Sequence, residues 1–330
     1  MNALERFQRV LSKQPVDRTP VVGVTSVVTP ELMRQANSGW PDAHRDPELM
    51  VRAGAAAHVL CGLESVKTPF DMTIEAEALG ADVDYGNEEN PPKVRTPLFE
   101  DPNDLTVPDD VFNRGRFGVA LEAIRIGRKT YGDSVPVISS GVGPFTLAGV
   151  LFGVETLLVW MIEEPEKVSA ALQKTTPLVA RYMREQYAAG AHFVQIGEPS
   201  TSGDLISPAQ YQEHVADFHR RLVADADRPV GIHICGNITR QLPHLAAVGF
   251  AGVSFDVKTD IQAARTHLKG KAALIGYLST GTLLTGTHEA VLAAGRECIR
   301  EGVDMLNAGC ATAPGTPIAN IKAMIAAARE

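Results

Sequence analysis

Two soft metal-ligating side chains stand two residues apart in the run Pro229-Val-Gly-Ile-His-Ile-Cys235, and a third, Cys310, closes the run Val303-Asp-Met-Leu-Asn-Ala-Gly-Cys310. In extended backbone, residues i and i+2 face the same way, so the His233 and Cys235 side chains can converge on one ion. Zinc accepts both ligand types, at about 2.0–2.1 Å for nitrogen and about 2.3 Å for sulfur. Three protein ligands leave one tetrahedral position open, the feature that separates a catalytic zinc from a closed structural one. The plainer alternative is a hydrogen-bonded barrel histidine beside a core-filling cysteine.

These residues need a frame that brings distant segments together. Short β-branched runs occur at Thr19–Val28, Leu63–Thr68, Val135–Ser140, Ala191–Gly197, Arg228–Cys235, Ala251–Asp256, Ala272–Gly276 and Val303–Ala308. Segments with apolar residues at three- and four-residue spacing follow them, for example Tyr211–Ala224 and Glu289–Arg300. Alternation of this kind marks βα units around a parallel sheet. Eight such units predict an α/β fold of the closed (β/α)8 TIM-barrel class, a single domain over residues 1–330. The acidic, proline-rich stretch from Asp71 to Asn113 lacks barrel periodicity. It reads as an inserted hairpin and excursion after the second strand, overhanging the mouth.

In barrels of this kind chemistry sits at the C-terminal ends of the strands. His233 and Cys235 end the fifth predicted strand, Cys310 follows the eighth, Asp256 ends the sixth and Glu198 follows the fourth. All five are therefore placed on one rim. Asp256 is either a further ligand or the cap of the turn that follows it. Glu198, in GEPSTSGD, either orients a ligand or is solvated. Asn237, Ser279 and Thr280 take rim positions from which a side chain can meet a substrate or support a ligand. Gly236 and Gly309, beside the two cysteines, fit a close backbone approach. Cys61 and Cys298 lie inside helical patterns and are read as small apolar residues.

Composition narrows the class. The formal charge is −8 and no cluster of Lys and Arg is visible, which argues against a nucleic-acid partner. The opening MNALERFQRVLSKQ sets Leu4, Phe7 and Leu11 at helical spacing but is interrupted by Glu5, Arg6 and Arg9, unlike a cleavable signal. No segment approaches the ~18 apolar residues of a membrane span. Four cysteines suit free thiols or metal ligands in a reducing cytoplasm better than a disulfide scaffold. The expected location is cytoplasmic, with no membrane contact.

Along nearly its whole length the chain resembles the uroporphyrinogen decarboxylase superfamily, and within it the cobalamin-dependent methyltransferases. The resemblance is carried by LERFQRVLSKQPVDRTPV, TPFDMTIEAEALGADVDYG, GPFTLAGVLFGVE, GIHICGNI, GVSFDVKTDI, LIGYLST and NAGCATAPGTPIANIKAM. The HxC with a distant cysteine is similar to the zinc signature of the methyltransferase branch. Decarboxylases of the superfamily lack it and use an N-terminal arginine-rich motif with an aspartate near the second strand. Asp71 in PFDM matches that aspartate, but no arginine-rich counterpart lies near Thr25–Met33.

The resemblance implies zinc held by His233, Cys235 and Cys310, with Asp256 as an acidic fourth ligand in the resting state. It also implies a partner: a corrinoid protein carrying methylcobamide as methyl donor. The acceptor is a thiol such as coenzyme M or homocysteine, or a folate in its place. A free alkyl thiol has a pKa near ~8.5, and coordination to a cation deprotonates it. Two thiolates and one carboxylate on Zn²⁺ sum to about −1, and exchanging the carboxylate for a substrate thiolate leaves that sum unchanged. The expected reaction is in-line attack of the zinc-bound thiolate on the cobalt-bound methyl, the cobalt–carbon bond breaking as the corrinoid leaves in its reduced form with the bonding electron pair. A tetrapyrrole decarboxylase and a non-catalytic zinc-binding accessory protein of a corrinoid system are the alternatives.

Overall fold

Seven parallel strands carry the architecture of the computed structural model, which describes residues 1–329. In chain order the strands are β1 (Val66–Lys67), β2 (Val83–Asp84), β3 (Lys93–Val94), β4 (Val137–Val142), β5 (Phe193–Gly197), β6 (Val230–Ile234), β7 (Gly252–Phe255), β8 (Ala273–Leu278) and β9 (Met305–Ala308). β1 and β4 to β9 pair in the order β1-β4-β5-β6-β7-β8-β9, every pair parallel. Helices in the connections cover the outer face, the arrangement of a TIM-barrel-like α/β fold.

The eighth stave is where sequence and structure differ. Thr19–Val28 forms no regular strand; its one ladder position is Val21 opposite Leu306. The segment nevertheless closes the ring. Val22 N–H donates to the Leu306 carbonyl and Leu306 N–H to that of Pro20, both at 2.9 Å, while Glu64 N–H reaches the Val21 carbonyl at 2.9 Å on the other side. Pro20 has no N–H to give a ladder, and at Gly23 a side chain would begin 3.0 Å from Val27 Cγ2 and 3.1 Å from Leu63 Cδ2. Gly23 N–H is taken by Ser65 Oγ at 2.8 Å instead of a strand carbonyl, and the chain bends at Val24–Thr25.

The bottom of the barrel is plugged by the helix Ala3–Leu11, started by Asn2, whose Oδ1 accepts from Glu5 N–H at 2.8 Å. Phe7 and Val10 pack among Val22, Val24, Ile138, Phe193, Ala273, Ile275 and Met305, and Phe7 meets Phe193 edge-on at 5.6 Å. Burying these two side chains contributes roughly 1.5–3 kcal/mol each. Arg6 fixes the helix by donating to Glu64 at 2.6 Å and to Asp17 at 2.7 Å. The helix thus fills the base of the barrel, at the N-terminal ends of its strands.

Residues 71–113 contain a short helix, Ile74–Ala78, and an antiparallel pairing of β2 with β3. Met72 of this stretch leans over the mouth: its Cε lies 3.1 Å from where a side chain at Gly197 would begin. The helix expected at Tyr211–Ala224 starts as a π-turn over Tyr211–Val215 and continues as Ala216–Ala226. That expected at Glu289–Arg300 spans His288–Glu301. Cys298 is buried on the latter, and burial pushes its thiol up to about 11; Cys61 ends the helix Pro47–Cys61 half-buried. No single described helix is long and apolar enough to cross a membrane.

Candidate metal centre

His233 lies within β6 and Cys235 just beyond its end; Cys310 follows β9 by two residues. One ligand atom from each can be chosen so that all lie within 4.8 Å of one another. Cys235 Sγ stands 2.9 Å from Cys310 Sγ and 3.1 Å from His233 Nε2. A tetrahedral zinc with ~2.3 Å bonds to sulfur spaces two thiolates by about 3.8 Å. The donors therefore surround a volume that an ion would widen by less than about an ångström. All four cysteines are free thiols.

The two sulfurs do not ionise independently. The hydrogen bond from Cys235 holds the Cys310 thiol well below the ordinary cysteine range, with the His233 ring adding to the effect. The same contact, reinforced by burial and by the negative charge of Asp256, pushes Cys235 up. Without a cation, one thiolate is all the pair tolerates; a divalent ion removes that limit, because each ligating thiol is then deprotonated.

Local backbone explains the convergence. In β6 the pleat puts His233 and Cys235 on the inner face. Gly236, at φ +77°, turns the chain at a point where a side chain would begin 2.4 Å from Asp204 Oδ2 and 2.5 Å from Ser202 Oγ. Gly309 lets the turn after β9 pass 3.3 Å from Val257 N, measured from its would-be Cβ. Its N–H is tied to the Leu278 carbonyl at 2.8 Å, and the Cys310 carbonyl accepts from Thr25 Oγ1 at 3.1 Å.

The sequence reading missed Ser254. Its Oγ stands 3.0 Å from His233 Nδ1, fixing the ring with Nε2 toward the sulfurs. A hydrogen bond at the distal nitrogen is what orients a metal-ligating histidine. The signal was available in GVSFD, where Ser254 and Asp256 are two apart on one face.

The remaining predicted residues divide. Asp256 is half-buried; its Oδ1 accepts from Lys258 N–H at 3.1 Å, so it caps the turn while its charge acts on Cys235. It is not among the three residues whose donors cluster. Glu198 is fully buried and engaged: it accepts from Phe145 N–H at 3.0 Å, Thr146 N–H at 2.9 Å and Thr146 Oγ1 at 2.7 Å, and pairs with His219 Nε2 at 3.1 Å. These four contacts use its lone pairs and tie the end of β5 to the start of the helix Pro144–Phe152. Neither the solvated reading nor a free face toward a ligand matches that placement. Asn237 is exposed and caps its own turn through Thr239 N–H at 2.9 Å, beside a surface groove with Asp204 and Arg240. Ser279 caps the helix Thr280–Thr285 by accepting from Thr282 N–H at 3.2 Å.

Comparison with known proteins places the chain in a family. The family model for uroporphyrinogen decarboxylase matches residues 2–330. The chain belongs to that family. Within it, the chain is 36% identical to the Methylated-thiol--coenzyme M methyltransferase of Methanosarcina mazei, covering 96% of this chain and 86% of that protein. It is 34% identical to the Methylcobamide:CoM methyltransferase MtaA of Methanosarcina barkeri, covering 98% and 97%. A solved methyltransferase from Methanosarcina mazei superimposes with a TM-score of 0.95 at 34% identity, over 99% of this chain and 98% of the other. The chain thus sits in the methylcobamide:coenzyme M methyltransferase branch of the uroporphyrinogen decarboxylase family.

A second buried cluster surrounds Asp71. Asp71, the position that matches the decarboxylase aspartate, is buried and accepts from Arg116 Nη1 at 2.7 Å, Thr73 N–H at 2.8 Å and Thr73 Oγ1 at 3.0 Å, with His44 Nδ1 at 3.1 Å. Despite its burial, the His44 hydrogen bond and the Arg116 charge hold this carboxyl well below the ordinary range. Arg116 in turn donates to Glu77 at 2.5 Å.

Proposed function

We propose that this chain is a zinc-dependent methyltransferase that moves a methyl group from a methylated corrinoid carried by a partner protein to a thiol such as coenzyme M. The observation that carries the reading is the convergence of His233, Cys235 and Cys310 at the C-terminal strand ends of a barrel whose other end is plugged. Zinc bound there would supply the positive charge that keeps an acceptor thiol as its thiolate at neutral pH.

The chain's own residues do the rest. Ser254 orients the His233 ring, and Cys235 and Cys310 present two sulfurs across the mouth. Asp256 stands near enough to Cys235 to act on it, and we assign it the exchangeable fourth position that an incoming thiolate takes. Met72, leaning over Gly197, narrows the mouth from the side. Decarboxylation of a tetrapyrrole is disfavoured, because the Asp71 oxygens are occupied by Arg116, His44 and Thr73 and have none to offer a substrate.

The test is the metal content of protein purified without chelators, beside demethylation of methylcobalamin with coenzyme M and then homocysteine, for wild type and Cys310→Ala. About one zinc per chain, with thiol-dependent demethylation lost in the variant, is expected. Zinc without turnover would favour the accessory role, and protein that takes up no zinc would overturn the site.

A further inference from the structure

Lys67 is a buried cation inside the barrel with nothing to neutralise it. Its chain neighbours point outward: Val66 packs with Ala55 and Val135 under the helices, and Thr68, just past the end of β1, lies 3.6 Å from the would-be Cβ of Gly54 and 3.8 Å from that of Gly127. Alternation then turns Lys67 inward. It is 8% exposed, and among the described residues no hydrogen bond or ion pair reaches its ammonium. The other buried cations, Arg6 and Arg116, each hold carboxylates. Burial alone pushes the Lys67 ammonium down to about 7, and an anion beside it would reverse that cost.

The surroundings of Lys67 connect it to the metal centre. Counting the closing segment as the first stave, Lys67, Gln195, Ser254 and Asn307 come from the second, fourth, sixth and eighth, the set that supplies one layer of a barrel interior. Ser254 and Asn307 are engaged, with His233 and with Val24 N–H and Thr25 Oγ1. Gln195 is only half engaged. Its Nε2 crosses to the Val24 carbonyl at 3.1 Å, which fixes the amide, and its Oε1 is buried without a donor. Gln195 pairs with Gly231, four residues before Cys235, so this layer lies below the sulfurs in the barrel and would offer a thiol held there one unpaired cation and one amide oxygen able to orient that cation.

We propose that Lys67 anchors the acidic tail of a short anionic thiol, oriented by Gln195, so that the acceptor is chosen by a charge at its far end; the inference rests on the thiol-acceptor reading above. Sulfonate and carboxylate tails share this chemistry. The test compares wild type, Lys67→Met and Gln195→Glu in methylcobalamin demethylation with coenzyme M (a sulfonate), 3-mercaptopropionate (a carboxylate) and 2-mercaptoethanol (neutral). Calorimetric binding of coenzyme M and zinc content are measured on the same samples. Wild type should prefer the anionic thiols. Lys67→Met should lower the ratio of kcat/KM for anionic over neutral thiol about ten- to a hundredfold, through KM, and weaken coenzyme M binding by the same factor, with zinc retained. The tail with the larger loss is the one that the site was built for. Gln195→Glu should lower the ratio in the same direction, since its carboxylate would compete for the ammonium. A preference and an affinity unchanged in Lys67→Met would overturn the anchor even if thiols are methylated. Lys67-dependent binding of coenzyme M without turnover of any thiol would uphold the anchor and overturn the methyltransferase reading instead.

Discussion

Ser254 offers a test of the metal centre that leaves its ligands in place. The His233 ring is held by Ser254 Oγ at 3.0 Å from Nδ1 and by Cys235 Sγ at 3.1 Å from Nε2, and Ser254 is fully buried. In Ser254→Ala the ring N–H loses the Ser254 hydroxyl that accepts from it. Leaving a buried donor unmade costs ~1–3 kcal/mol. Part of that cost falls on the metal-free protein, and part appears as a misoriented, less basic ligand. Removing such a partner typically weakens metal binding ten- to a hundredfold, or about 1.4–2.8 kcal/mol. The assay is competition for zinc between stripped protein and a chromophoric chelator, for wild type, Ser254→Ala and Ser254→Thr, with unfolding of the metal-free forms in parallel. The expected order is a large loss for alanine and a smaller one for threonine, which keeps the hydroxyl. A zinc affinity for Ser254→Ala within about twofold of wild type would refute the reasoning, since it would mean that His233 does not ligate or does not need this hydrogen bond.

Other parts of the structure give further expectations. Cys235→Ser or Cys310→Ser should reduce zinc well below one per chain on dialysis and abolish thiol-dependent demethylation, as metal analysis and absorbance of methylcobalamin would show. Cys235 is pushed up chiefly by its contact with Cys310 and by burial, and Asp256→Asn removes the negative charge that adds to them; in metal-free protein the pH at which iodoacetamide alkylates Cys235 should move modestly downward, and an unmoved profile would count against the charge effect. Arg116→Met strands the buried Asp71 carboxylate and should cost ~3–5 kcal/mol in denaturant unfolding, part of it recovered by adding Asp71→Asn. Glu75 is fully buried with Oε2 unpartnered, and burial pushes its carboxyl up to about 7. The native state then holds a proton that the unfolded chain has released, so this group's contribution is fully present below about pH 4.5 and is lost as pH rises through about 7. Glu75→Gln should flatten the fall in stability between pH 5 and 8 and raise it at pH 8.5 by up to ~3 kcal/mol.

Much of the barrel was legible because its interior strands are short apolar runs between turn residues. The seven paired strands overlap their predicted runs, β6 ending one residue short of Cys235. Thr19–Val28 failed as a strand because composition registers β-branched residues but not the missing N–H of Pro20 or the close approach at Gly23. The convergence of the His233, Cys235 and Cys310 side chains followed from rim topology, since alternation and strand order together fix direction and height. Glu198 has the same residue type and rim position as a ligand would. Only the fold reveals that the backbone of residues 145–146, His219 and a threonine hydroxyl already hold it. Lys67 was invisible for the opposite reason: a lysine in a two-residue strand looks like an edge or surface residue until the paired neighbours turn it inward.

Two buried carboxylates show how one barrel can serve two chemistries. A carboxylate that must bind a substrate cation or N–H has to reach the mouth with lone pairs free; one surrounded by donors of its own protein is a structural anchor. Asp71 is of the second kind, its charge matched by Arg116 and its oxygens met by His44 and Thr73. Glu198 is of that kind too. Both acidic groups are thus spent inside the scaffold, whereas the sulfurs at Cys235 and Cys310 stay half-buried at the rim. If that division is what sets the reaction, freeing Asp71 by Arg116→Met should destabilise the fold without creating decarboxylase activity, because no arginine-rich motif near Thr25–Met33 stands ready to hold a polycarboxylate. Appearance of that activity in the variant would mean that the donors around Asp71, and not the metal-ligating rim, decide which reaction the barrel performs.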